Sequence, residues 1–538
     1  MKRGSLFDLV CEGAARVPRT KPALLGATGS LTYGQLMDGA RGVAASLRAA
    51  GVHPGERVGL CMEKTPGAVQ ALLGVLAAGC AYVPMDPRSP PARCAAIARN
   101  CALSALVVDL PHLEHLPTLL EGLTPRLVLV EGRGDSAADS TALAYARENP
   151  FLPPLQLLSR AVEHPPVALP ELLHTQVAYL LYTSGSTGTP KGVVHTHGSG
   201  VAFTRWVQRT FRTTPADVFS SHAPLHFDLS ISDLFAALGS GASVRLFNSV
   251  EAMLAPHLVR AARQAGVTVW YSVPSVLTAM MEQGGLEQGG LPSVRVLLFA
   301  GEVFPTPQLR RLRAALPHAQ LWNLFGPTET NVCTAWRVPP QLPPGDAAIP
   351  IGHTCAGLES FVLDDEGREL RDGREGTLWV RGPHLMQGYW NDPARTHATL
   401  QPDPRGRPGL AYCTGDRVRR APDGGYLFHG RRDHQVKTRG FRVELGEIEA
   451  ALAAHPEVLE AVAVALPDPQ LGNRIVASVV PRAGETVEAQ ALRAFCAQRL
   501  PAYMVPERLE VRGALPRTST SKADRTALRG EWEMGAGA

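Results

Sequence analysis

Residues 181–192 read LYTSGSTGTPKG, and both fold and chemistry turn on them. The run before them, Val177, Ala178, Tyr179, Leu180 and Leu181, is short, apolar and free of breakers, which predicts a buried strand. From 183 to 190 every residue is Ser, Thr, Gly or Pro. Such a segment buries almost nothing. It offers hydroxyls and unobstructed backbone N–H groups at Thr183, Ser184, Gly185, Ser186, Thr187 and Gly188, then one amine at Lys191. Successive N–H groups in a glycine-rich turn form a concavity suited to phosphate oxygens. A surface connection of the same composition would serve no ligand. The strand before it and the Lys191-Gly192 pair after it favour the phosphate reading. The Gly-x-x-x-x-Gly-Lys-Ser/Thr order of a Walker loop is absent.

At 538 residues the chain exceeds one ordinary domain. It is 45% hydrophobic and 19% charged, as globular enzymes are. A net charge of +4 over this length argues against nucleic acid as the main partner. No run of about 18 uncharged apolar residues suggests a membrane span, and the first residues make a poor signal peptide. Nine cysteines without a C-x-x-C pair fit reduced thiols and a cytoplasmic setting better than a disulfide or zinc framework. Of 53 basic residues only six are lysines: Lys2, Lys21, Lys64, Lys191, Lys437 and Lys522. Arginine has taken almost every other basic position. A lysine at 191, 437 and 522 therefore points to a need for a compact amine.

Alternating apolar strand runs and alanine-rich helical runs predict layered α/β structure. Residues 71–79 read as a small-residue helix and 81–87, AYVPMDP, as a strand stopped by proline. A large body over 1–430, of two similar halves, and a small α/β unit over 434–538 are expected. The turn-rich, charged stretch 421–434 is their boundary. In the small unit, 446–453 is an amphipathic helix with Ile448 and Leu452 on one face. Residues 461–465 and 475–480 read as strands, and 531–538 as a frayed tail.

The order Ser-Gly-Ser-Thr-Gly-x-Pro-Lys-Gly resembles the nucleotide loop of the adenylate-forming enzymes: acyl-CoA synthetases, luciferases and the adenylation domains of peptide synthetases. Further motifs extend the resemblance over nearly the whole chain. They are GCAYVPMDP at 79–87, HFDLSISDL at 226–234, NLFGPTET at 323–330, the stretch 376–389 and YCTGD at 412–416. GRRDHQVKTRGFRVELGEIE at 430–449, LPAYMVP at 500–506 and TSKADR at 520–525 complete the set. Cys413 stands where arginine is usual and Ser521 where glycine is usual. The resemblance implies the adenylate-forming fold, a large α/β body with a small mobile C-terminal α/β domain.

It also implies a reaction: a carboxylate joins the α-phosphate of ATP, pyrophosphate leaves, and the acyl group passes to a phosphopantetheine thiol. Charge meets like charge, so electrostatic help should dominate. The 183–192 loop would hold the β- and γ-phosphates, and Glu329 would ligate Mg²⁺, a hard ion preferring oxygen. Thr328 would bond the α-phosphate. Phe325 would stack on adenine, Asn323 would read its edge, and Gly301, Glu302 and Gly326 complete the nucleotide set. Asp416, with Arg431, would take the ribose hydroxyls. Lys522 would bridge carboxylate and α-phosphate. Asp433 matches the hinge position. Lys437 and Gly440 match residues that face the site after the small domain rotates, with Gly440 admitting the pantetheine arm.

Asp228 decides the substrate class. In the acid-binding pocket its carboxylate would pair with an α-ammonium; fatty and aryl acids would leave it unpaired. The bland alternative makes Asp228 the N-cap of a helix over 231–238. The other pocket positions by the motif alignment are Leu229, Ser232, Tyr271, Leu298, Ala300, Leu324, Val332 and Cys333, none of them charged. A small neutral amino acid is expected. The series resembles that of stand-alone prolyl adenylation enzymes, which load proline on a separate carrier protein for later oxidation to a pyrrole. Ser232 departs from it, since a larger apolar residue is usual there. No carrier segment follows Lys522, so the carrier is expected in trans. A ligase for another small amino acid such as alanine, or an acyl- or aryl-CoA ligase, stands as the alternative.

Overall fold

A computed structural model describes residues 4–27, 29–132, 136–161, 164–165, 167–185, 188–342, 344–345, 347–370, 373–431, 435–468, 471–517 and 523–535. The predicted strand is Val177–Thr183, and it lies inside an eight-stranded sheet. Beside it run Ala81–Met85, Arg57–Cys61, Ala105–Asp109, Leu127–Glu131 and Leu155–Leu157, all parallel. On its other side Lys191–Thr196 pairs antiparallel, with Thr183 opposite Lys191. The glycine-rich segment is therefore the tip of a hairpin. Strands buried on both faces read as continuous apolar runs, which is why 177–181 lacks alternation.

A second, nine-stranded sheet repeats the design. Its centre is Val218–Ser221, Val269–Ser272, Val296–Phe299 and Gln320–Phe325, parallel neighbours. The expectation of two similar halves corresponds to these two sheets. The helices Tyr33–Ala49 and Pro66–Ala77 lie between them, and Leu36, Val43, Leu72 and Leu76 share one core with Phe219, Val244, Leu298 and Leu324. Lys64 stitches the halves together. It is buried, and its ammonium donates to the carbonyls of Ser221, of His222 at 3.0 Å and of Ala223 at 2.7 Å. The buried Asp233 carboxyl lies nearby; burial raises its pKa well above the ordinary value, and Lys64 opposes the rise.

A five-stranded antiparallel sheet follows, built on Glu375–Arg381 and Leu410–Arg420. The stretch 421–434, expected as the boundary, contributes a strand to it. Tyr426–Arg431 is a strand of that sheet, Asp416 facing Arg431 across the ladder. Charged residues mark it because an antiparallel strand carries a solvated face. The smaller C-terminal domain contains the hairpin Gln435–Thr438 with Phe441–Glu444, the helix Leu445–Ala453, and a sheet of Val458–Asp468, Gly472–Pro481 and Arg508–Val511. Ile448 and Leu452 are buried against Val458, Ala477 and Val479. The tail is not frayed where described: the helix Arg525–Gly535 seats Leu528 and Trp532 on that sheet, and the Trp532 ring N–H donates to Ser478 at 3.2 Å. Among the described residues no helix is long and apolar enough to cross a membrane.

Lys64→Met should destabilise the protein by about 3–5 kcal/mol, because it removes one partner of a buried charged cluster and strands three carbonyls. Urea titration would check this; a midpoint shift below about 1 kcal/mol would deny Lys64 its stitching role.

Candidate active site

The loop is shaped by its own backbone. A Cβ at Gly185 would lie 2.0 Å from the carbonyl oxygen of Thr189, so no other residue fits that turn. Behind the loop, His195 stacks on Tyr179 with ring centroids 4.9 Å apart. Its Nε2 lies 2.9 Å from the carbonyl oxygen of Thr328, and its Nδ1 3.0 Å from the Ser199 hydroxyl. Burial pulls its pKa down to about 4. The ring is therefore neutral, donating to Thr328 and accepting from Ser199. It ties the loop's return strand to the Thr328–Thr330 turn.

That turn buries Glu329 completely. The Tyr389 hydroxyl donates to Oε1 at 2.6 Å, and the Arg442 guanidinium to Oε2 at 2.6 Å. Lys191 Nζ stands 3.9 Å away. Burial would raise the carboxyl's pKa, but these cations and the tyrosine hold it far below the usual carboxylate range. Burial pulls Lys191 down to about 8, with Arg442 adding to the fall. Both Glu329 oxygens are thus engaged by donors and face two cations. This donor set does not fit Mg²⁺ in the arrangement seen.

One cavity opens between the loop, the ends of the second sheet and the small domain. It is lined by Thr183, Ser184, Phe325, Gly326, Thr328, Asp416 and Arg431, together with Lys437, Gly440 and Arg442. Arg431 pairs with Asp416 at 2.6 Å. Burial raises the Asp416 carboxyl, and Arg431 and Lys437 oppose the rise. Lys437 Nζ lies 5.7 Å over the Phe325 ring, and burial lowers its pKa against the pull of Asp416 and Asp228.

Asp228, Leu229, Tyr271, Ala300 and Val332 line the same cavity. Asp228 does not cap a helix. It has helical φ and ψ and no side-chain cap bond. The helix expected over 231–238 is present, running over 229–239 with a π stretch, Ser232–Ala236, at its centre. Enclosure raises the Asp228 carboxyl, opposed by a hydrogen bond with Thr328 and by Lys437. Leu298 and Leu324 lie beneath the wall in the same apolar cluster as Tyr271 and Ala300. Ser232 is buried off the cavity lining, and Cys333 packs with Ile351 and Val362 under the antiparallel sheet. Asn323 is likewise off the lining; its side-chain amide donates to Pro350 at 2.8 Å. Glu302 accepts from the backbone and hydroxyl of Ser275 at 2.8 and 3.0 Å. Gly301 lines the cavity, while Ser186, Thr187, Asp433 and Lys522 lie outside the described residues.

Residues 11–390 match the AMP-binding enzyme family, and residues 447–522 match the C-terminal domain of AMP-binding enzymes. This chain belongs to that family. Within the family it is similar to an L-proline--[L-prolyl-carrier protein] ligase of Pseudomonas fluorescens. The two are 38% identical over 523 residues, 97% of this chain and 98% of that one. A ligase of the same description from Streptomyces coelicolor is 38% identical over 512 residues, 94% of this chain and 92% of that one. The adenylation domain AlmE of Vibrio cholerae, solved with glycyl-adenosine-5′-phosphate, superposes with a TM-score of 0.84. It is 25% identical, covering 99% of this chain and 98% of that one.

Several members of this candidate site carried no role in the sequence reading. Arg442, Glu444 and Glu447 sit inside the quoted 430–449 motif, but nothing in their spacing says which unit they face. Tyr389 and His195 are singly placed residues whose partner, the 328–330 turn, is remote in the chain.

Tyr389→Phe should cost about 1.5–3 kcal/mol, the worth of a hydrogen bond to a charged group. The cost should vanish in a Glu329→Gln, Tyr389→Phe double-mutant cycle measured by thermal unfolding. Additive losses would remove the coupling.

Proposed function

We propose that this AMP-binding enzyme activates L-proline with ATP as prolyl-adenylate and then passes the prolyl group to the phosphopantetheine thiol of a carrier protein. The observation that carries the substrate class is Asp228: one carboxylate in a wall otherwise made of Leu229, Tyr271, Ala300 and Val332. A substrate ammonium would satisfy that charge, and an uncharged acyl chain would not. The names of the two similar ligases support proline among small amino acids.

In the first step a carboxylate oxygen attacks the α-phosphorus and pyrophosphate leaves. The loop 183–192 cradles the leaving phosphates, and Thr328 and Gly326 border the α-phosphate. Phe325 supplies the adenine face, and Asp416 with Arg431 takes the ribose. The adenylating role goes to Lys522, which lies outside the described residues, and Mg²⁺ would need Glu329 released from Tyr389 and Arg442. In the second step the carrier's sulfur attacks the acyl carbon and AMP leaves. Lys437 and Gly440 face the cavity here, which supports reading this as the transfer arrangement, reached by rotation near Asp433. A second cavity adjoins the first across Gly440 and Phe441. It is lined by Phe227, Val273, Ala252 and Met253, and offers the pantetheine arm a route.

Asp228→Asn should lower kcat/KM for proline in pyrophosphate exchange by roughly a hundredfold, the loss of one charge-assisted bond of about 2–3 kcal/mol. Proline should outrun alanine, and benzoate should be inactive. Only the ionised carboxylate pairs with ammonium. Because enclosure raises Asp228 above the ordinary 3.8, proline affinity should fall with decreasing pH at a point above the usual aspartate range. Exchange with benzoate but not proline would sink the assignment.

Gly440 has φ of +81°, and a Cβ there would lie 2.7 Å from Val273 Cγ1. Overpacking at that contact costs about 1–3 kcal/mol and arises only when the small domain faces the site. Gly440→Ala should therefore depress prolyl transfer to a holo-carrier about tenfold more than it depresses exchange. Lys522→Ala should do the reverse, cutting exchange by about a hundredfold. Equal losses in both assays for both variants would leave the two-arrangement reading without support.

A further inference from the structure

The small domain grips the phosphate loop with carboxylates. The Gly185 N–H donates to Glu447 Oε2 at 3.1 Å. Lys191 Nζ, the loop's amine, lies 3.4 Å from Glu444 Oε1. The Ser184 hydroxyl donates to the carbonyl of Arg442 at 2.8 Å and accepts from the Glu444 N–H at 3.1 Å. Arg442 lies on Glu329. Backbone N–H, lysine and serine hydroxyl are the donors a polyphosphate would use, and Glu329 is the carboxylate expected to hold its cation. One hexapeptide, Arg442-Val443-Glu444-Leu445-Gly446-Glu447, fills all of these places with its own charges.

The anions are held for that purpose. Glu444 and Glu447 are buried. Arg93 of the large body pairs with the other oxygen of Glu447, and Gln435 donates to Glu444. Each carboxylate thus has one bond that orients it and one that meets the loop. Buried carboxylates without such partners would be costly. Burial would lower the pKa of Arg442, but the Glu329 carboxylate beside it holds it above the ordinary guanidinium value.

We propose that residues 442–447 are a built-in surrogate for metal-pyrophosphate: Glu444 and Glu447 stand in for the leaving phosphates and Arg442 for the cation. Docking of the small domain and retention of pyrophosphate are then mutually exclusive, because both need Gly185, Lys191 and Glu329. Transfer to the thiol waits on pyrophosphate departure, and a docked small domain keeps pyrophosphate from returning to attack the adenylate. The inference rests on reading 183–192 as the polyphosphate loop.

The test saturates the full-length enzyme with a non-hydrolysable prolyl-sulfamoyl adenosine and titrates inorganic pyrophosphate calorimetrically. In Glu444→Gln, Glu447→Gln and the double variant, pyrophosphate should bind about tenfold more tightly than in the parent, a coupling of ordinary size. Single-turnover prolyl transfer to a holo-carrier should fall by a similar factor. Damage to the fold lowers affinity, so a gain is not its signature. Unchanged or weaker pyrophosphate binding in all three variants would overturn the surrogate. Lys191→Ala separates the two ideas: if it leaves pyrophosphate affinity at the parental value, the loop reading itself fails.

Discussion

Glu329 is the constraint around which the site is arranged. A carboxylate with no solvent exposure must find donors for both oxygens or lose its charge. Tyr389 supplies one and Arg442 the other, with Lys191 close by. Each comes from a different part of the chain: the loop's return strand, the edge strand Gly388–Tyr389 that pairs with it, and the small domain. Satisfying one buried charge therefore fixes three segments relative to one another. His195 braces the same turn from behind by holding the Thr328 carbonyl. Charges that the small domain shares with the large body recur across the contact: Arg442 on Glu329, Glu444 on Lys191 and Glu447 on Arg93.

That distribution explains what was legible in the sequence. The central strand, the hairpin loop and the helix Leu445–Ala453 follow from local periodicity and composition. Asp228, Thr328, Asp416, Lys437 and Gly440 were found because their motifs mark them, and the structure gathers all five on one cavity. The misses have physical causes. Tyr426–Arg431 does not read as a strand because an edge hairpin strand carries charges and glycines. The π stretch inside the helix at 229–239 has no compositional mark. Cys333 and Asn323 lie next to pocket residues in sequence, but Cys333 packs under the antiparallel sheet and the Asn323 amide is taken by the Pro350 carbonyl, partners that are remote in the chain. The carboxylates on the loop were invisible for a different reason. Their role is set by inter-domain contact, and no period in one segment reports what another will press against it.

The same charges set the energetic logic of the contact. The pairs Arg93–Glu447, Arg442–Glu329 and Lys191–Glu444 are largely withdrawn from water. Burying paired ions gains little net stability, because desolvation offsets most of the attraction. Removing a single partner is costly. An interface built this way is weakly held as a whole yet specific in register, which suits a domain that must both dock and leave. An apolar interface of equal area would hold tighter and discriminate less.

Lysine usage fits this picture and extends it. In a chain that uses arginine almost everywhere, three of the four described lysines, Lys64, Lys191 and Lys437, are enclosed and have lowered pKa values, Lys64 near 7 and Lys191 near 8, while the half-buried Lys21 donates to the carbonyls of Pro215 and Gly241. An ammonium is a point charge with three donors, and Lys64 spends them on three carbonyls. A guanidinium is a planar fork whose geometry matches a carboxylate, and Arg442 and Arg431 each meet one, at Glu329 and Asp416. At these enclosed positions the cation follows its partner: arginine faces a single carboxylate in a fixed orientation, and the buried Lys64 faces a set of carbonyls.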